Sequence, residues 1–209
     1  MYSAIISFPC QDNFMTNKPY HHGNLRDSLL DAADALLARD GAQALTLREV
    51  AKAAGVSHAA PYHHFAGREQ LLAAVAARAF AALAMAMAAA DGASARSQGE
   101  RLMDICEVYV EFARARPAQF RLMFGPMLAQ KSRHPDLKQA AETAFNVLVT
   151  AATAFDAARG PELALTGWSL AHGLANLAID EAFTDLPLEV PPPSVLARAM
   201  AARMLGLAS

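Results

Sequence analysis

Twenty residues from Thr46 to Phe65, TLREVAKAAGVSHAAPYHHF, constrain this chain more than any other stretch. The pattern predicts two short helices joined by a tight turn. Thr46 is placed to cap the first helix, with Glu49 three residues on to complete a capping box. Leu47, Val50 and Ala51 then share one helical face. Gly55 follows the last turn, where a left-handed residue is needed and glycine adopts it best. Val56 is an apolar plug, and Ser57 is placed to cap a second helix running on through His58, Ala59 and Ala60. Helix, glycine-containing turn, helix is the arrangement that sends its second helix into the major groove of DNA. An ordinary helical hairpin would show the same local pattern.

The flanks separate the two readings. From His22 to Leu72 the chain reads HGNLRDSLLDAADALLARDGAQALTLREVAKAAGVSHAAPYHHFAGREQLL. Ala32/Ala33 and Leu36/Leu37, Gly41, Thr46 to Ala51, Ala54 to Ser57, Tyr62, His64-Phe65 and Arg68 to Leu72 together resemble the DNA-binding domain of the TetR family of bacterial transcriptional regulators. Two positions depart from the family pattern. Pro61 stands where leucine is usual, and Ala60 where a hydroxyl residue is common. Proline has no N–H to bond back toward Ser57, so the start of the second helix is expected to be loosened. The resemblance implies DNA-contacting roles by position. His58, Ala59 and Ala60 would face bases, and Tyr62 and His63 would touch backbone or base edge. Ser57, Thr46 and Arg68 stand at helix starts, where hydroxyls and cations meet phosphate. Ala59 and Ala60 offer only methyl contact, so specificity is expected to lean on backbone fit and DNA shape. Before the motif, Lys18, His21 and His22 form a polar arm, which reads equally as a disordered tail or as a contact to the DNA backbone.

Charge alone would not suggest a nucleic-acid partner. The chain has a formal net charge of −2. Between Lys18 and Glu69 six lysines and arginines are matched by six carboxylates. The reading therefore depends on arrangement, with Lys18, Arg48 and Arg68 facing phosphate and Asp31 and Asp34 facing away. Five of the seven histidines, His21, His22, His58, His63 and His64, lie in or just before this region. An unperturbed imidazole titrates near pH ~6.5, so operator affinity is expected to fall as pH rises through neutrality. His64 and Phe65 are expected in the core.

Alanine, leucine and methionine dominate the 209 residues, and no run alternates like a strand, which points to an all-α fold. Cys10 and Cys106 sit in unlike contexts and give neither a disulfide framework nor a zinc spacing. Such usage suits a reducing cytoplasm. The opening MYSAIISFPC lacks a basic flank and is too short to span a bilayer, so no membrane partner is expected. Three segments are expected: a flexible tail over 1–17, a helix-turn-helix domain over 18–67, and a ligand-binding and dimerisation domain over 68–209. Asn24 would cap a first helix running to about Asp40, and Gly67 a long helix from Arg68 to about Ala90, with a loop through Gly99. A helix over 100–115 has apolar residues on more than one face, so it should lie centrally. Short helix 117–124 follows, then a loop to Asp136, helices from Leu137 to about Ala158 and Glu162 to Phe183, and a final one capped by Ser194.

RPAQFRLMFG (116–125) and GWSLAHGLANL (167–177) resemble a second, regulatory domain named for its Trp-His-Gly signature. That resemblance implies an all-helical body whose last two helices pair in a homodimer. Two major-groove half-sites also require a dimer. Trp168, His172, Asn176 and Asp180 climb one helical stripe. Trp168 and His172 are candidate ligand contacts, with Met103, Cys106, Tyr109, Phe120, Met123, Phe124 and Phe145. Each taken singly reads more readily as core, because Met and Phe at helical spacing usually pack. Together they suggest an adaptable apolar site for a hydrophobic or aromatic small molecule. Neighbouring histidines such as His21-His22 and His63-His64 point apart on a helix and lack a carboxylate cluster, so no metal is expected. Cys106 reads as an inert small hydrophobe. Gly-rich phosphate loop, nucleophile elbow and HExxH motif are all absent, and no cofactor is implied. The function expected is a ligand-responsive DNA-binding regulator, a repressor by family default. An activator, a helix-turn-helix fused to a hydrolase, or a purely architectural DNA binder are the alternatives.

Overall fold

The computed structural model describes residues 25–92 and 96–207, so the tail, the Lys18–His22 arm and the Asn24 cap lie outside the described residues. Among the described residues the chain is helical throughout, with eight α-helices and no strand. Helix α1 spans Leu25–Ala44 and bends at Gly41, the residue expected to end it. Helix α2 is Leu47–Ala53, capped by the Thr46 hydroxyl, which accepts from the Glu49 amide at 3.2 Å. A 3₁₀ turn over Ala60–His63 follows, then the 24-residue α3, Arg68–Asp91. Beyond it lie α4 (Gln98–Ala115), α5 (Pro117–Phe124), α6 (Pro135–Phe155), α7 (Gly160–Ile179) and α8 (Pro193–Met204).

The central position expected for α4 is what the packing shows. It buries Leu102, Ile105, Cys106, Tyr109, Val110 and Phe112 on several faces, and it touches α3, α6, α7 and α8. Its start lies within the stretch expected to be a loop. Ser97 caps it, accepting from the Glu100 amide, while the Glu100 carboxylate takes the Ser97 N–H at 2.9 Å. Both orphan donors are thereby satisfied, closing the capping box. At the other end of the chain, Ser194 does not cap α8: the helix begins at Pro193, whose fixed φ and missing N–H suit a first turn. Asp104 is the one buried charged residue among those described. Arg96 reaches both its oxygens at 2.6 Å, and Arg198 of α8 pairs with it too, so the carboxylate ties α4 to α8.

One continuous apolar core runs from α1 to α8. Helix α3 belongs to both ends of it. Leu71, Leu72 and Val75 pack with Leu29, Leu37 and Phe65 in the first part of the fold, while Phe80, Leu83 and Met87 reach the second. By length and composition α3 could cross a membrane, but more than half of its most apolar stretch is buried against other helices. That is the pattern of a core helix.

Candidate nucleic-acid interface and ligand cavity

Between α2 and α3 the backbone turns at Gly55, whose φ of +68° is left-handed and would strain a side-chain-bearing residue. The Val56 amide then bonds the Ala51 carbonyl at 3.0 Å and closes the turn. The next segment departs from the α-helix expected there. Ala60 N–H bonds Ser57 O at 3.0 Å, Tyr62 N–H bonds Ala59 O at 3.1 Å and His64 N–H bonds Pro61 O at 3.0 Å, all with three-residue spacing. Pro61 cannot donate the four-residue bond to Ser57, so the segment winds as a 3₁₀ turn. It starts after Ala59 without a side-chain cap, so Ser57 does not take the capping role expected of it. Buried Pro61 and Phe65 anchor the turn from beneath.

Its outward face carries the residues the sequence singled out. Ser57, His58, Ala59 and His63 are exposed, Tyr62 is 62% exposed, and Ala60 and Thr46 are half-buried. Arg48 and Lys52 of α2 are exposed beside them. Arg68 is not free to face phosphate. Its guanidinium donates to Leu45 O at 2.8 Å and Ala42 O at 2.7 Å, satisfying carbonyls at the end of α1. Asp31 and Asp34 are held away from this face by Arg78 of α3. His64 is half-buried at the seam between this head and the α6 start, while Phe65 is core as expected.

The second site is a cavity of about 640 Å³ lined by α3, α4, α5, α6 and α7 and open to solvent on one side. Four of the nine candidate ligand residues line it: Tyr109, Phe124, Phe145 and Trp168. Trp168 is edge-on to Phe145, with ring centroids 5.7 Å apart. His172 stands just behind this wall, 4.6 Å from Phe124 between centroids. Indole N–H is a donor only, so Trp168 Nε1 donates to the Tyr109 oxygen at 3.2 Å. The Tyr109 proton is then left for His172 Nδ1, 2.9 Å away. Burial lowers the pKa of His172, which keeps the imidazole neutral and able to accept. Burial also pushes the Tyr109 phenol well above its ordinary value, so it stays protonated.

Met103, Cys106, Phe120 and Met123 do not line this cavity. All four are buried in the core, and Phe120 packs edge-on against Tyr109 at 5.7 Å. Cys106 faces α7 and α8, and burial pushes its thiol up to about 12, which makes it unreactive. In their place the structure brings Phe80, Leu83 and Met87 of α3, Leu148 of α6, Leu165 of α7 and Lys131 from a 3₁₀ turn over Lys131–Arg133. Glu142 and Asn146 of α6, with Leu165 at 53% exposed, form the rim. Among the described residues no group of three potential metal ligands comes together.

Two family profiles match the chain. Residues 29–75 match "Bacterial regulatory proteins, tetR family", and residues 102–204 match "Tetracyclin repressor-like, C-terminal domain". The chain belongs to the TetR family. A protein of unknown function from Rhodococcus sp. RHA1 shares 31% identity and superposes with a TM-score of 0.78, over 92% of this chain and all of that one. A TetR-family regulatory protein from Rhodococcus RHA1 is 21% identical, with a TM-score of 0.62 over 87% of this chain and 95% of its own. The TetR-family regulator PfmR from Thermus thermophilus is 22% identical, with a TM-score of 0.57 over 85% and 97%. No curated protein sequence matches the chain. As a TetR-family member the protein is a DNA-binding transcriptional regulator and not an enzyme. Regulators of this family bind operators and act as dimers. The C-terminal profile is tetracycline-repressor-like, so the Trp-His-Gly subtype rests on the few residues that suggested it.

Proposed function

We propose that this TetR-family protein is a cytoplasmic repressor that leaves a palindromic operator when a small hydrophobic or aromatic molecule fills the cavity. The observation that carries this reading is the double duty of α3, which supports the reading turn at one end and walls the cavity with Phe80, Leu83 and Met87 at the other. The head, up to residue 67, and the body from residue 68 are taken to move relative to one another through that helix. Two copies pairing through the C-terminal helices would place two reading turns one DNA turn apart, roughly 34 Å. Within each head His58, Ala59, Ala60, Tyr62 and His63 are the candidate readers, while Thr46, Ser57, Arg48 and Lys52 supply backbone contacts. Arg68 acts through α1, as an internal brace.

Selection from a random duplex pool tests the DNA half of this proposal. Recovery of inverted repeats with that spacing is the expected result, and recovery of single half-sites would overturn the dimeric reading. Small molecules that co-purify, identified by mass spectrometry, should release the selected duplex. A ligand that binds in the cavity without altering DNA affinity would overturn the response, because a ligand shifts an equilibrium only by its differential affinity for the two states.

A further inference from the structure

The cavity wall is apolar and aromatic, with Phe80, Phe124, Phe145 and Trp168 contributing rings, but one cation is set into it. Lys131 is half-buried, and its Nζ lies 5.8 Å from the centroid of Phe80 and 5.9 Å from that of Phe124. A lysine that merely covered the rings with its stem would extend its ammonium into water. Here the ammonium itself rests over the two rings, a cation–π seat. Among the described residues, no carboxylate forms an ion pair with it. Glu142, the acid on the rim, is exposed at the mouth and pairs with Lys138 at 3.5 Å. Burial lowers the pKa of Lys131, so its charge is held at a cost that an anion would offset. The other polar groups of the wall are committed: the Tyr109 oxygen lies between Trp168 and His172. Asn146 remains on the rim as a neutral donor.

We propose that the cavity takes an amphipathic organic acid, with its apolar body among the rings and its carboxylate on Lys131. This rests on the cavity being the effector site. A cationic headgroup in the same place would meet like charge and is disfavoured.

The sole tryptophan, Trp168, stands in the wall and reports on occupancy by its fluorescence. The probes are decanoate, its neutral isostere decanamide, and decyltrimethylammonium, titrated into the full-length protein near neutral pH. Decanoate is expected to bind about ten-fold more tightly than decanamide, since a charge-assisted contact is added to the same apolar burial. Decyltrimethylammonium should bind more weakly than either. Lys131→Met retains an apolar stem of similar length, and should erase the preference by weakening decanoate far more than decanamide. Lys131→Arg should keep the preference. Salt should weaken decanoate and spare decanamide in the wild type, an arm that decides the matter even if Lys131→Met fails to fold. Equal affinities for decanoate and decanamide in the wild type, or a preference that survives Lys131→Met, would overturn the anion site while leaving the cavity reading intact. If none of the probes binds, the effector cavity falls with it.

Discussion

At Tyr109 a single hydroxyl serves two neighbours, accepting from Trp168 and donating to His172. Removing it strands an indole N–H and an imidazole nitrogen in a half-buried wall. Tyr109→Phe should therefore cost about 1–3 kcal/mol in chemical unfolding, more than loss of one exposed hydrogen bond would. An unchanged denaturation midpoint would show that water replaces the hydroxyl. His172 makes a pH prediction. Its pKa in the fold is lowered by burial, below the value it has in the unfolded chain. The unfolded state then binds the proton more readily. Its contribution to stability is whole above the unfolded value, and it is lost as pH falls from there toward the folded one. Wild type should lose thermal stability between about pH 7 and pH 5 more steeply than His172→Gln, and parallel losses would rule His172 out as a source. At this scale the sequence is partly legible. Trp168, Phe145, Phe124 and Tyr109 can be found because aromatic residues cluster there. Met103, Cys106, Phe120 and Met123 have the same composition and the same helical spacing, and only the rotation of α4 and α5 about their axes turns them into core. Lys131 gives no signal at all, because it lies in a connecting stretch whose placement depends on contacts distant in sequence.

Among the elements, the reading turn departs furthest from a regular helix, and its cause is legible in one residue. Pro61→Leu would restore the missing N–H and permit the four-residue bond to Ser57. Amide exchange over residues 57–65 should slow in that variant. Faster or unchanged exchange would mean that the anchoring of the turn by Phe65, and not proline, sets its winding. Helix boundaries elsewhere are legible to within a few residues wherever punctuation is strong, as at Gly41, Gly67, Arg116-Pro117 and Gly125-Pro126. The Ser97–Glu100 box is masked by the glycine between its members, which suggests a loop although Gly99 lies inside the helix. Where α6 and α7 meet, the sequence gives no hint of how close the backbones come. A Cβ on Gly160 would stand 2.7 Å from Thr153 Cα and 2.9 Å from Thr153 N. Backbone there cannot swing aside as a side-chain tip would. Gly160→Ala should destabilise the protein by about 1–3 kcal/mol, despite alanine's better helix propensity, and a stabilised variant would show that the joint yields.

Across the whole molecule, the proposed response requires a signal to pass from the cavity to the reading turn, and few contacts are placed to carry it. Helix α3, roughly 36 Å long at 1.5 Å per residue, is the direct route. A second strap runs beside it: His134, just past the Lys131 turn, meets Glu69 in the first turn of α3, Nε2 to Oε1 at 3.1 Å. A further brace between head and body is Asp34 on α1. Burial raises its pKa, and Arg78 of α3 opposes that shift, with Gln119 of α5 bonding it as well. Arg78 also pairs with Asp31, and lies 3.3 Å from Asp34. Three helices therefore meet at one carboxylate, two from the body and one from the head. On that proposal a ligand that displaces Phe80, Leu83 or Met87 would move α3, and the Arg78–Asp34 contact would draw α1 with it. Arg78→Met should break that link. In the wild type, effector is expected to weaken operator binding by a factor in the usual range, roughly 5–150, and operator must weaken effector binding by the same factor. Arg78→Met should bring both factors toward unity together, with effector affinity in the absence of DNA preserved because Arg78 does not line the cavity. Arg78→Lys, which keeps the charge, should retain most of the coupling and so separates the brace from a simple loss of folding. Both factors measured in each variant decide it: undiminished coupling in a folded Arg78→Met dimer would mean that the message reaches the reading turn by the His134–Glu69 strap or along α3 alone.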